Sequence, residues 1–157
     1  MTNSIVQTEF GILDQTLAIR HEILSAISDD DLAFTLPGNP SFGEVCKRMG
    51  DTDQMYIDSF TTFTMDYATS KDDATLATSV DALKTWFTDL ERDMKTALSA
   101  IPQSDLDTRM IERGFSVPIR VQFHIYREAL LIFYAKAVVY FNAMGKPLPK
   151  QLGEWIG

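Results

Sequence analysis

The sequence is poor in cysteine, and no apolar run in it is long enough to span a membrane. Its 157 residues include one cysteine, Cys46, which excludes an internal disulfide framework and favours a reducing compartment. The longest apolar run, residues 129–135, lies between Arg127 and Lys136, whereas a membrane-spanning helix needs about 20 apolar residues. The first residues lack the basic and apolar segments of a signal peptide. We therefore expect a soluble, cytoplasmic protein that does not insert into membranes.

Positive charge and histidine are also scarce. The chain has 14 lysines and arginines against 22 aspartates and glutamates, which gives a net charge of −8. Nucleic-acid binding depends on basic groups that neutralise phosphates, so we expect no binding to DNA, RNA or an anionic membrane surface. The only histidines are His21 and His124, which leaves few residues for a histidine-rich metal site.

The apolar residues that are present follow helical spacing. Four segments of about twenty residues show it, at approximately residues 8–27, 41–63, 79–99 and 118–144. Ser41 and Glu44 form the pattern of a capping box, and Ser116 followed by Pro118 is typical of a helix start. Residues 68–78 have the composition of a solvated loop, and residues 104–115 fit an extended segment or a short helix. We predict an all-α four-helix bundle in one domain, residues 1–157, with a short C-terminal extension.

The fourth segment is apolar on more than one side. One stripe lies beside His124 and Glu128 and contains Val121, Ile125, Ile132, Ala135 and Val139. A second stripe contains Phe123, Leu130, Tyr134, Ala137 and Phe141. A helix that is apolar nearly all round is either central or buried a second time by a partner. We favour a homodimer in which the second stripe takes part; the alternative is that the loops at 68–78 and 104–115 cover it.

Two stretches of the chain resemble one known superfamily. Residues 37–53, PGNPSFGEVCKRMGDTD, resemble the entry to the second helix in the DinB/YfiT-like superfamily, and residues 143–149, AMGKPLP, are similar to the exit from its last helix. The resemblance implies an up-down-down-up four-helix bundle that is frequently dimeric. Many members hold a divalent metal with three histidines, one on the second helix and two on the last. Relatives include thiol-dependent transferases and isomerases.

Under this resemblance, the three-histidine site is incomplete in the present chain. Arg48 stands at the position of the second-helix histidine, and arginine does not ligate metals under ordinary conditions. On the last helix, His124 and Glu128 have the expected four-residue spacing, while another alignment places Arg127 and Leu131 there. The metal site is broken under either alignment, so we expect no metal cofactor.

A polar pocket between the second and fourth helices is expected where relatives keep the metal. We predict an ion pair between Arg48 and Glu128 in this pocket. Nearby polar side chains would supply the hydrogen bonds that a buried pair needs, and the candidates are His124, Tyr56 and Arg20. These five residues form the candidate ligand-binding site. If zinc or nickel binds instead, the ligands would be His124, Glu128 and His21.

The sequence leaves more than one function open. We favour the binding of a small polar or anionic ligand anchored by Arg48, because a guanidinium suits carboxylate and phosphate groups. The alternative is a metal-dependent hydrolase or a thiol-dependent S-transferase, with His124 as base or ligand and Glu128 as ligand or orienting group. A purely structural dimer is a third possibility. Cys46 is a weaker candidate, since cationic neighbours can lower a thiol pKa, but a lone helical cysteine is usually a small apolar residue.

Overall fold

The structure is a computed structural model that describes residues 2–157. Within these residues the chain forms four long α-helices and two short ones, together with a π-helical segment at Ile5–Glu9 and 3-10 turns at Ala74–Ala77 and Gln103–Asp105. In chain order the α-helices are α1 (Phe10–Ser25), α2 (Asp29–Leu32), α3 (Phe42–Thr62), α4 (Val80–Ala100), α5 (Ile119–Ala143) and α6 (Lys150–Trp155). The four long helices correspond to the four predicted segments, so the all-α bundle with a short C-terminal extension is confirmed.

Local sequence signals account for several helix ends. The Ser41 hydroxyl accepts a hydrogen bond from the Glu44 backbone amide, and the Glu44 carboxylate accepts one from the Ser41 amide at 2.7 Å. This is the predicted capping box, and it satisfies two free amides at the start of α3. At the end of α3, Phe63 takes the left-handed conformation with φ 61° and stops the helix. Gly145, with φ 68°, follows the end of α5.

The segment between α4 and α5 begins with a 3-10 helical turn, Gln103–Asp105, and continues as a short hairpin. It contains β1 (Met110–Glu112) and β2 (Ser116–Pro118), which pair antiparallel with Ile111 opposite Val117. Strands of three residues are too short to show a convincing alternation of apolar and polar residues, which is why the sequence left this segment open. The prediction that Ser116 caps α5 is wrong, because Ser116 belongs to β2 and α5 begins after Pro118.

The four long helices pack in a closed arrangement in which α3 contacts α4 and α5, and α1 contacts the same two helices. The α3–α4 contact is close at Gly50, where an added Cβ would lie 2.2 Å from a ring atom of Trp86. A glycine is therefore required there by the approach of the indole ring. No helix among residues 2–157 is both long enough and apolar enough to cross a bilayer.

The two apolar stripes of α5 face the opposite sides from those that we predicted. The stripe that we expected in a dimer is wholly buried in the bundle core, and it comprises Phe123, Leu130, Tyr134, Ala137 and Phe141. The stripe beside His124 and Glu128 faces outward, with Val121, Ile132 and Val139 exposed by 41%, 58% and 54%. The predicted role of the second stripe in a dimer is therefore wrong, because its side chains form the core. The outward stripe is the one left without a partner in the single chain.

Candidate functional site

A groove runs between α3, α5 and the loop that precedes α3. This α3–α5 groove has a volume of about 530 Å³, within the range of small-molecule sites. Its walls are mainly aliphatic and aromatic, with a few polar groups. The lining residues are Leu36, Asn39, Pro40, Val45, Arg48, Met49, Thr52, Ala129, Ile132, Phe133, Lys136, Val139 and Tyr140.

Arg48 is the predicted site residue that lies in this groove. Helical spacing places it on the face of α3 that also carries Val45 and Thr52, so its exposed guanidinium stands beside apolar walls. Across the groove, Lys136 of α5 supplies a second positive charge. Neither cation forms an ion pair within residues 2–157, and no acidic residue lines the groove. The groove is thus electropositive in an acidic protein.

One end of the groove is held in place by Tyr140. Its hydroxyl donates a hydrogen bond of 2.6 Å to the backbone carbonyl of Pro40, which ties α5 to the loop before α3. The Tyr140 ring stacks on Phe42 at 5.1 Å between centroids and meets the edge of Phe34 at 6.4 Å. Burial raises the pKa of Tyr140 above its ordinary value. The Tyr140 hydroxyl therefore stays uncharged at physiological pH and holds this end of the groove through its hydrogen bond.

His124 and Glu128 lie in a different groove. The α1–α5 groove has a volume of about 500 Å³ and is lined by Ile12, Thr16, His124, Arg127, Glu128, Leu131, Trp155 and Ile156. Both His124 and Glu128 are exposed, and they share one side of α5 as predicted. The predicted Arg48–Glu128 ion pair is wrong, because the two side chains line separate grooves.

Arg20 is a wholly buried residue in the centre of the bundle. Its exposed fraction is 0%, and its guanidinium bonds to Asp53 of α3, which is 1% exposed, and to Glu91 of α4 at 2.8 Å. Its Cζ lies 4.1 Å from the centroid of the Phe87 ring. His21 contacts the same Glu91 oxygen through Nε2 at 2.8 Å. Arg20 therefore ties α1 to two helices and does not line either groove.

The electrostatics of this buried cluster follow from burial and from charge pairing. Burial alone would lower the pKa of Arg20, but Asp53 and Glu91 raise it above its ordinary value, so the guanidinium stays charged. Burial raises the pKa of the Asp53 carboxyl, and Arg20 opposes that effect. Burial would also raise the pKa of Glu91, but the hydrogen bond with His21 and the charge of Arg20 outweigh it and lower that pKa.

Tyr56 belongs to a second polar cluster, at the side of the bundle where the two strands pack. Arg113 lies over the Tyr56 ring, 5.9 Å from its centroid. Arg113 donates a hydrogen bond of 2.6 Å to Gln122, whose amide in turn donates to the Ser59 hydroxyl at 3.0 Å. Burial raises the pKa of Tyr56, and Arg113 opposes that effect. Tyr56 is therefore also separate from the α3–α5 groove.

The predicted alternative metal set is not assembled. Among residues 2–157 no group of three or more histidine, cysteine, aspartate or glutamate side chains is placed to hold a metal ion. His21 bonds to Glu91, whereas His124 and Glu128 line the α1–α5 groove. Cys46 is wholly buried, and burial raises the pKa of its thiol to about 12. The basic neighbours of Cys46 in the sequence therefore do not activate it.

Sequence reasoning missed several residues that the structure makes important. Lys136 and Tyr140 follow Ile132 at intervals of four, a spacing that could have placed them on the same groove wall. Asp53 is a buried carboxylate that the sequence analysis did not single out, and it lies four residues after buried Met49 and three before buried Tyr56. That spacing indicated a core position, and a buried aspartate requires a cationic partner.

Comparison with known proteins supports the fold. No family model matches the sequence, and no curated protein matches it. Among solved structures, the chain is similar to the crystal structure of a DinB-like protein, YjoA, from Bacillus subtilis. The TM-score is 0.66, the sequence identity is 17%, and the match covers 86% of this chain and 91% of that one. The DinB-like fold predicted from the sequence is therefore confirmed.

Proposed function

We propose that this chain, which has the DinB-like fold, binds a small amphipathic anion in the α3–α5 groove, with Arg48 as the anchor. The observation that carries the proposal is the combination of two unpaired cations with apolar walls and no acidic side chain. An arginine donates paired hydrogen bonds to a carboxylate or a phosphate oxygen pair. Lys136 adds a second positive charge from the opposite wall.

The apolar walls favour a ligand with a hydrocarbon body over an inorganic ion. Val45 and Met49 from α3 face Ile132 and Phe133 from α5 across the groove. Burying the body of a ligand against these side chains removes apolar surface from water, which stabilises the complex. Thr52 and Asn39 add neutral polar groups near the lining. The groove therefore suits a ligand that has one anionic head and one apolar tail.

The alternative of a metal-dependent hydrolase or a thiol-dependent S-transferase finds less support. His124 and Glu128 would have to act from the α1–α5 groove, where the other charged lining residue is Arg127. Arg127 lines the same groove, so its guanidinium, although paired with Glu9 at 3.1 Å, lies near the position that a cation would need. No described residue joins His124 and Glu128 as a third ligand.

A cytoplasmic location and a homodimer also belong to this proposal. The first rests on the single, buried cysteine. The second rests on the outward apolar stripe of α5, which a second copy would remove from water.

The test is calorimetric titration of the protein with octanoate and with octanamide, which have the same tail and differ in charge. We expect octanoate to bind at least about tenfold more tightly, because a charge-assisted hydrogen bond contributes about 1.5–3 kcal/mol. In Arg48→Gln, octanoate binding should weaken by about tenfold and the preference for octanoate over octanamide should shrink.

The matched control is Arg92→Gln on α4, which removes the same charge from an exposed position outside the groove. This control should bind octanoate like the original protein. Equal affinities for octanoate and octanamide, or equal effects of Arg48→Gln and Arg92→Gln, would contradict the proposed site.

A further inference from the structure

The α1–α5 groove presents both a carboxylate and guanidinium donors to a ligand. Glu128 of α5 is exposed and forms no ion pair within residues 2–157. Arg127, the next residue, bonds to Glu9 through Nη1 alone, and its Nε and Nη2 have no hydrogen-bond partner in the described chain. The groove therefore offers groups of both signs, whereas the α3–α5 groove is electropositive.

Arg127 and Glu128 line the same groove without neutralising each other. Consecutive residues of an α-helix point about 100° apart around its axis, so their side chains do not face each other. Accordingly, Arg127 pairs with Glu9 and not with its neighbour Glu128. A metal ion would bind Glu128 and be repelled by Arg127. A ligand with both an anionic and a cationic group can satisfy both side chains.

The rest of the lining is mainly apolar. It consists of Ile12, Thr16, Leu131, Trp155 and Ile156, beside His124. Leu131 is 39% exposed and Trp155 is 40% exposed, so an apolar group bound between them would be removed from water, which stabilises a complex. The volume of about 500 Å³ is that of a small-molecule site. The groove thus suits a ligand that joins two opposite charges to an apolar body.

The C-terminal helix α6 holds the aromatic wall of this groove in place. The Gln151 backbone amide donates a hydrogen bond of 3.1 Å to the Glu22 carboxylate, and the Gln151 side chain donates one of 3.3 Å to the Gln15 carbonyl. Both acceptors belong to α1, and Leu152 of α6 is wholly buried. Trp155 is therefore carried by a helix that is docked on the bundle, and the C-terminal extension completes the groove.

We propose that the α1–α5 groove binds an α-amino acid with a large apolar side chain. Arg127 donates hydrogen bonds to the ligand carboxylate, and Glu128 accepts from the ligand ammonium. Leu131 and Trp155 contact the apolar side chain. His124 lies four residues before Glu128 on the same side of α5 and adds a polar group beside the ammonium. The site shares no lining residue with the α3–α5 groove and is independent of the anion proposed there.

The two charges also distinguish a zwitterion from an amphipathic ion of either sign. An amine without a carboxylate brings a positive charge next to Arg127, and a carboxylate without an amine brings a negative charge next to Glu128. Each of these contacts is repulsive and leaves one protein group without a partner. An α-amino acid carries both groups on one carbon, which matches two residues whose Cα atoms are about 3.8 Å apart.

The first experiment is calorimetric titration of the full chain with L-phenylalanine, 3-phenylpropanoate and 2-phenylethylamine. The three compounds share the phenyl group, but the second lacks the ammonium and the third lacks the carboxylate. We expect phenylalanine to bind at least about tenfold more tightly than either analogue, because each analogue loses one charge-assisted hydrogen bond. Glycine, which keeps both charges and lacks the side chain, should bind at least about tenfold more weakly than phenylalanine.

Two variants assign the charged groups. In Glu128→Gln the affinity for phenylalanine should fall about tenfold, while the affinity for 3-phenylpropanoate should not fall. In Arg127→Gln the affinity for phenylalanine should also fall about tenfold, while the affinity for 2-phenylethylamine should not fall. The matched controls Glu154→Gln and Arg92→Gln remove the same charges from exposed positions outside the lining and should bind phenylalanine like the original chain. Circular dichroism would verify that each variant stays folded.

Tryptophan fluorescence locates the bound ligand. Trp86 is only 6% exposed, whereas Trp155 is 40% exposed and lines the groove. Phenylalanine should therefore change the emission of Trp155. In Trp155→Phe this emission change should be lost while calorimetric binding remains, because a phenyl ring keeps an apolar wall at that position.

Three results would overturn the proposed amino-acid site. The first is the absence of phenylalanine binding at about 10 mM, and the second is an equal affinity for phenylalanine and either analogue. The third is phenylalanine binding that weakens in Arg48→Gln and not in Glu128→Gln, which would place the ligand in the α3–α5 groove. None of these results bears on octanoate binding through Arg48, so the two sites are tested separately.

Discussion

The ion pair between Arg20 and Asp53 allows a quantitative prediction about stability. Asp53 is 1% exposed and Arg20 is wholly buried, so replacing Asp53 by Asn leaves a charged guanidinium in the core with one counter-charge fewer. Removing one partner of a buried ion pair costs about 3–5 kcal/mol. Glu91 keeps its contact with Arg20 at 2.8 Å, so we expect the lower end of that range, about 3 kcal/mol.

Urea unfolding followed by circular dichroism measures this change. The matched control is Asp93→Asn on α4, where the carboxylate is exposed and pairs with exposed Arg92. It should change the free energy of unfolding by less than about 0.5 kcal/mol. A similar, small change for both variants would refute the idea that Asp53 stabilises the buried charge.

A double variant distinguishes the net contribution of the ion pair to stability from the cost of removing one partner. Both partners keep one unsatisfied atom within the described chain, Arg20 Nε and Asp53 Oδ1, so the pair does not fully offset its desolvation. Replacing both by apolar residues, Arg20→Met with Asp53→Leu, should therefore cost less than Asp53→Asn alone. If the double variant is the less stable of the two, the ion pair contributes net stability, which contradicts this prediction.

Two further predictions concern titratable groups. The buried Cys46 thiol, with its pKa raised to about 12, should react with Ellman's reagent at neutral pH only as fast as the protein unfolds; rapid reaction in native buffer would show an accessible thiol. Glu91 has a lowered pKa in the folded state, so the stability it provides is complete above its unfolded pKa of about 4.3 and is lost as the pH falls through its folded pKa. Between pH 6 and pH 3 the unfolding free energy of Glu91→Gln should therefore fall less steeply than that of the original chain, and parallel profiles would contradict this.

The sequence was sufficient to predict the bundle because a long helix repeats the same spacing of apolar residues over several turns. Each long helix presents apolar residues over several turns, and Ser41 with Glu44 marks the start of α3 directly. The strands at 110–112 and 116–118 contain three residues each, too few for a periodic signal. Helix periodicity also indicates that α5 has two apolar stripes, but which stripe faces the core depends on contacts with α1 and α3.

The candidate site was predicted in part. Arg48 lies in the expected groove between α3 and α5, because its spacing from Val45 and Thr52 places it on the same face of α3. We expected Arg20 near Arg48, but Arg20 lies on the core-facing side of α1 and pairs with Asp53. His124 and Glu128 share a side of α5, yet that side faces a different groove. Spacing along one helix is therefore a reliable guide to neighbours on that helix, and a poor guide to partners on another.

A crystal structure of the protein with octanoate is the most direct test of the proposed site. We expect the carboxylate within about 3.2 Å of the Arg48 guanidinium nitrogens, with the tail along Met49, Ile132 and Phe133 in the α3–α5 groove. Octanoate bound only in the α1–α5 groove beside His124, or an α3–α5 groove that stays empty at saturating octanoate, would contradict it.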